Sequence, residues 1–126
     1  MMKKSIYVLE DEAVLRELFT YLLSQDGFQV SAYPNATTFH AALGQHDLPD
    51  MMLLDVCLPD GNGADICKEL KSHKQTKDIP ILIMSATDDL LSIKIESSAD
   101  DHLEKPFDID TFKEKTRKLA SMTVRL

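Results

Sequence analysis

MMLLD, residues 51–55, sets four large apolar side chains in a row and ends on a carboxylate. So apolar a run reads as a strand covered on both faces. An unpaired charge is costly to bury, so Asp55 must reach water or meet partners. The next eight residues, VCLPDGNG (56–63), are rich in breakers, which places Asp55 where the strand opens into a loop.

The same reading extends outward in both directions. SIYVLE (5–10) is a strand, and a helix over 12–25 carries Val14, Leu15, Leu18, Phe19, Leu22 and Leu23 at helical spacing. Gly27 stops that helix, since glycine accepts positive φ. FQVSAY (28–33) alternates as a half-buried strand does, and Asn35 is a good N-cap for a helix using Ala36, Phe39, Ala42 and Leu43. After MMLLD, a helix over 63–72 buries Ile66, Cys67 and Leu70. Pro80 opens the strand ILIMS (81–85). Thr87 or Asp88 caps a short helix with Leu90, Leu91, Ile93 and Ile95. DHLEK (101–105) is a short strand, and Asp108 caps a last helix with Ile109, Phe112, Leu119 and Met122 along one side.

Five strand–helix units in alternation imply an α/β fold with a parallel sheet and helices on both faces. The first, third and fourth strands are nearly continuous apolar runs, as central strands are. The second and fifth are mixed, as edges are. Three central and two edge strands fit a (βα)5, flavodoxin-like order of 2-1-3-4-5. In such sheets ligands bind beyond the carboxyl ends of the strands, where the winding reverses between the first and third.

Bulk composition narrows the function classes. A chain of 126 residues makes one domain, with 44% hydrophobic and 28% charged residues, as in ordinary soluble proteins. A net charge of −7 argues against direct nucleic-acid contact or an anionic membrane surface. No apolar run approaches the roughly 20 residues that span a bilayer. The start, MMKKSIYVLEDE, turns acidic too soon for a signal peptide, so a cytoplasmic location is expected. Cys57 and Cys67 are too few for a disulfide framework and match no zinc spacing. They read as free thiols, one in a loop and one on a helix.

The strand ends carry the chemistry. Glu10, Asp11 and Glu12 end the first strand, Asp55 the third, Ser85, Ala86 and Thr87 the fourth, and Lys105 and Pro106 the fifth. Singly, each has an ordinary role: Asp11 or Glu12 as a helix cap, Asp55 as a turn brace, Ser85 as a small strand residue, Lys105 as a surface charge. Those roles do not explain the set. Clustered carboxylates raise one another's pKa unless a cation intervenes, and Mg²⁺ suits one or two carboxylates plus waters and phosphate oxygens. Asp55 then has the chemistry of a phosphoryl acceptor, with the metal and the Lys105 ammonium neutralising the transferring oxygens. The Ser85 hydroxyl would donate to the phosphoryl group after transfer.

Four fragments, YVLEDE, LLDVCLPDGNG, ILIMSA and KPF, fall in order, one per central or final strand end. Together they resemble the receiver domain of two-component response regulators, and the likeness covers essentially the whole chain. The resemblance implies that Asp55 is the phospho-acceptor, that Asp11 binds Mg²⁺ directly and that Glu10 acts mostly through water. It implies that Cys57 offers its backbone carbonyl to the metal, that Ser85 follows the phosphoryl group and that Ala86 leaves room for that movement. It also implies that Lys105 pairs with the acceptor and that the Lys105–Pro106 bond is cis. The family has an aromatic switch residue three before the lysine, and here His102 stands there. The segment before it, ESSADD, lacks the family's glycine.

The implied partners are a sensor histidine kinase or histidine phosphotransfer protein, a downstream protein or effector domain, and a second copy of the chain in a homodimer. Residues 1–120 form the receiver, and 121–126 a tail or linker start. The chain is then a signalling phospho-acceptor rather than an enzyme with a separate substrate. Three other readings are weaker. A pseudo-receiver acting without phosphorylation has no need of the intact acidic and basic set. A Mg²⁺-dependent aspartate-nucleophile phosphatase generally has a second aspartate where Cys57 stands. A flavodoxin needs a phosphate loop where EDE would repel the phosphate.

Overall fold

The computed structural model describes residues 3–45 and 47–122. The expected tail therefore lies, from residue 123 on, outside the described residues. The main sheet has five parallel strands: β1 (Ser5–Leu9), β2 (Gln29–Tyr33), β3 (Met51–Asp55), β4 (Ile81–Ser85) and β5 (Asp101–Glu104). Their order is β2-β1-β3-β4-β5, as the alternation predicts. Five helices connect or follow them: α1 (Ala13–Gln25), α2 (Ala36–Gln45), α3 (Gly63–Ser72), α4 (Leu90–Ser97) and α5 (Ile109–Ala120). Every expected element is present, with ends shifted by a residue at most places.

The apolar run that opened the reading is buried at all five positions, and so is β4. Successive side chains on a strand face opposite ways, so each central strand feeds two cores. Met52, Leu54, Ile81 and Ile83 pack with Phe39, Ile66, Cys67 and Leu70 on the α2–α3 side. Met51, Leu53, Leu82 and Met84 pack with Phe19, Leu23, Phe112 and Leu119 on the α1–α5 side. Phe19 stacks on Phe112 with centroids 5.2 Å apart, joining α1 to α5.

Local signals hold at most boundaries. Gly27 has φ of +88°, where a side chain would be strained. Asn35 Oδ1 accepts from the Thr38 N–H at 2.9 Å, and Asp108 accepts from the Asp110 and Thr111 amides. Glu12 occupies the N-cap position of α1 without a side-chain cap bond. At α4 the N-cap is Asp89, not Thr87 or Asp88, and it too lacks a side-chain bond. Thr87 Oγ1 accepts the Asp89 N–H at 3.4 Å.

Several stripe residues are not core. Val14 is 72% exposed, Leu91 57% and Ile95 67%, while Ile109 and Met122 are also exposed. On α1, residues advance about 100° each, so Val14 falls about 40° outside the arc filled by Leu15, Leu18, Phe19, Leu22 and Leu23, past the edge that the sheet covers. On α4, Leu90 takes the buried position and Ile93 is partly buried, leaving Leu91 and Ile95 together on the outside.

The segment after β3 is more ordered than its breakers suggest. Cys57–Leu58 pairs antiparallel with Gly61–Asn62 in a small hairpin whose turn is Pro59–Asp60.

Candidate functional site

The parallel sheet brings the carboxyl ends of β1, β3, β4 and β5 to one edge, so residues far apart in sequence meet. Glu10 follows β1 and is fully buried. Asp55 ends β3 and is 4% exposed. Two such carboxylates side by side require a counter-charge, and Lys105 after β5 supplies it. Its Nζ lies 2.7 Å from Glu10 Oε1 and 3.1 Å from Asp55 Oδ2. Asp11, exposed at the rim, completes the acidic group. One oxygen from each of Glu10, Asp11 and Asp55 lies within 4.8 Å of the others.

The remaining oxygens are also engaged. Glu10 Oε2 accepts the Glu12 N–H at 3.2 Å. Asp55 Oδ1 accepts the Cys57 N–H at 3.2 Å, so this carboxylate also braces its own turn. Burial pushes the Glu10 carboxyl up to about 7; the Lys105 bond opposes this and the adjoining Asp55 reinforces it. Burial works against the Lys105 ammonium too, but the bond to Glu10 and the charges of Asp55 and Glu10 outweigh it and raise its pKa.

Ser85 ends β4 and is buried. Its hydroxyl accepts the Thr87 N–H at 3.3 Å, and its carbonyl accepts the Lys105 N–H at 2.9 Å. Ala86, just beyond, is exposed. The Lys105–Pro106 bond is cis, as expected. His102 lies on β5, half-buried, and its Nδ1 is buried without a hydrogen-bond partner. Cys57 is exposed two residues past Asp55, whereas Cys67 is fully buried and burial pushes its thiol up to about 11.

The sequence reading did not single out Gly63. A Cβ there would lie 1.9 Å from the Asp55 carbonyl oxygen and 2.7 Å from its carbon. Only glycine lets α3 begin directly against the backbone of Asp55, and its N–H donates to the Val56 carbonyl at 2.8 Å. The second glycine of GNG was the available signal, read only as a helix start. Asn62 caps α3 by accepting the Ala64 N–H at 2.7 Å.

A family model described as the response regulator receiver domain matches residues 6–117. The chain belongs to that family. Among curated relatives, this receiver is 35% identical over 132 residues to the phosphate regulon transcriptional regulatory protein PhoB of Escherichia coli K12, covering 98% of this chain and 56% of PhoB. It is 36% identical over 106 residues to the transcriptional regulatory protein GltR of Pseudomonas aeruginosa, covering 82% of this chain and 43% of GltR. The receiver thus spans about half the length of these relatives. In three dimensions it is similar to the receiver domain of the sensor histidine kinase PA1611 from P. aeruginosa, solved with a magnesium ion coordinated in the active-site cleft. That match has a TM-score of 0.81 at 19% identity and covers 95% of this chain and 99% of the other. It is a likeness of fold. Among the described residues, no helix is long and apolar enough to cross a membrane.

Proposed function

We propose that this receiver accepts a phosphoryl group on Asp55 from a phosphohistidine, presented by a sensor histidine kinase or a histidine phosphotransfer protein, with Mg²⁺ bound. The observation that carries the reading is the pairing of a buried acceptor carboxylate with Lys105 inside a three-carboxylate group. The donor set fits a hard cation: three carboxylates, with the backbone carbonyl of Cys57 as a further oxygen. Asp11 and Asp55 would hold the ion directly and Glu10 through water. When bound, Mg²⁺ neutralises charge on the phosphoryl oxygens and on the clustered carboxylates.

The chain's own residues do the rest. An Asp55 carboxylate oxygen attacks phosphorus; an O–P bond forms as the N–P bond to the donor imidazole breaks, and the imidazole keeps the electron pair. Lys105 screens the oxygens of the transferring group. Afterwards the Ser85 hydroxyl leaves its Thr87 contact and donates to the new phosphoryl group. That movement draws in the loop before α4, with Ala86 leaving room, and biases the packing of α4, β5 and α5 toward a partner protein, an effector domain or a second copy. His102 takes the place of the family's aromatic switch.

Incubation with acetyl phosphate and Mg²⁺, followed by intact-mass measurement, tests the first half. One phosphoryl adduct is expected on the wild type and none on Asp55→Asn. An unlabelled wild type, or a labelled variant, overturns it. Amide shifts that stay fixed along α4 on phosphorylation overturn the switching half.

A further inference from the structure

The hairpin that follows Asp55 is fastened at both ends, and the function above uses neither fastening. At its base, Gly63 closes on the Asp55 backbone and bonds the Val56 carbonyl. At its tip, Asp60 reaches out to a different element. Asp60 Oδ1 accepts the Ala36 N–H at 2.8 Å, and Oδ2 accepts the Thr37 N–H at 3.0 Å and the Thr37 hydroxyl at 2.7 Å. These donors open α2 and lie 23 and 24 positions away in sequence. The local cap of α2 serves a different donor, since Asn35 takes the Thr38 N–H.

Helix stability accounts for only part of this long-range bond. Ala36 is buried and its N–H needs an acceptor, but Thr37 and Asp60 are both exposed, so water could satisfy the Thr37 amide and hydroxyl. What the bond does beyond capping is fix the tip of the hairpin whose first strand carries Cys57. Mg²⁺ demands near-ideal octahedral geometry at about 2.0–2.1 Å, so a carbonyl ligand on a slack loop binds it poorly. We infer that Asp60 is a positioning residue for the cation site: its clamp on Ala36 and Thr37 holds the acceptor hairpin, and with it the Cys57 carbonyl, in binding geometry. The inference rests on the Mg²⁺ reading above.

The test is a MgCl₂ titration followed by backbone amide shifts, with unfolding midpoints measured on the same samples. Asp60→Ala should weaken Mg²⁺ binding about tenfold, in line with losses when groups supporting metal ligands are removed. Thr37→Ala removes only the hydroxyl contact and should weaken it less. Asn35→Ala removes the local cap of the same helix and should lower stability while leaving Mg²⁺ affinity unchanged. Unchanged affinity in Asp60→Ala, or an equal loss in Asn35→Ala, overturns the inference while the cation site stands. If Asp60→Ala does not fold, unchanged affinity in Thr37→Ala overturns it. A wild type that binds no Mg²⁺ overturns the cation reading itself, and the positioning role with it.

Discussion

The Asp55 end and the α4 side of this molecule are built to opposite standards. Around Asp55 the carboxylate oxygens have partners, a lysine is shared between two buried acids, and a glycine admits a backbone contact that no other residue permits. Around α4 the helix has only eight residues and no side-chain N-cap, and two large apolar side chains face outward. Its C-cap, Ser98, sits at φ of 63°, the only non-glycine positive φ among the described residues, and His102 Nδ1 on β5 makes no hydrogen bond, with Asp101 Oδ1 3.7 Å away. Chemistry that depends on placement to a few tenths of an ångström needs every atom held. A surface with few restraints has a small gap between alternative packings, which is what the proposed switching requires.

The largest expected effect breaks the tight end. Gly63→Ala forces a methyl into the Asp55 carbonyl and should cost about 3 kcal/mol or more, read by urea denaturation. A loss below about 1 kcal/mol would mean that this end relaxes as readily as the other.

The next effect concerns Glu10. Its folded pKa of about 7 lies above the ordinary 4.5, so the folded chain holds that proton more tightly than the unfolded one. The stabilisation is complete below pH 4.5 and is lost as pH rises through about 7. Without metal, the wild type should lose on the order of 2 kcal/mol between pH 5 and 8 relative to Glu10→Gln. Denaturation series at both pH values measure it. A constant difference would mean that Glu10 is effectively solvated.

A smaller effect sharpens the loose side. Ser98→Gly relieves the left-handed cap and should raise stability by about 1 kcal/mol in thermal melts. A loss would show that Ser98 has a compensating role. Smallest of all, Leu91→Ala and Ile95→Ala should each change stability by no more than about 0.5 kcal/mol. Ile66→Ala, from the buried face of α3, should cost about 2–5 kcal/mol in the same assay. Similar losses for all three would erase the contrast.

The sequence was informative where one physical rule dominates. MMLLD and ILIMS read as central strands because a strand covered twice has no polar face, and the two cores on either side of them bear that out. Asp55 read as special because a carboxylate at the tip of such a strand needs partners. Lys105 and Glu10 were legible as strand-end residues, though their shared contact is a product of topology. Elsewhere the signal was ambiguous or absent. Val14, Leu91 and Ile95 obey helical spacing, but a helix on a sheet buries only part of its circumference, and spacing does not say which part. A hairpin of two residues a side is too short to show alternation, so Cys57–Leu58 and Gly61–Asn62 looked like plain loop. Nothing local to Asp60 points to helix donors two dozen positions back. The close approach at Gly63 is a fact of three-dimensional packing.

The two thiols differ in a way that serves experiment. Cys57 is exposed close to Asp55, while Cys67 is enclosed and its thiolate is disfavoured. Near neutral pH a maleimide dye should therefore attach at one position in the native chain, with no cysteine engineered in or out. An optical reporter placed there would sit two residues from Asp55, close enough to register events at the carboxylate as they occur.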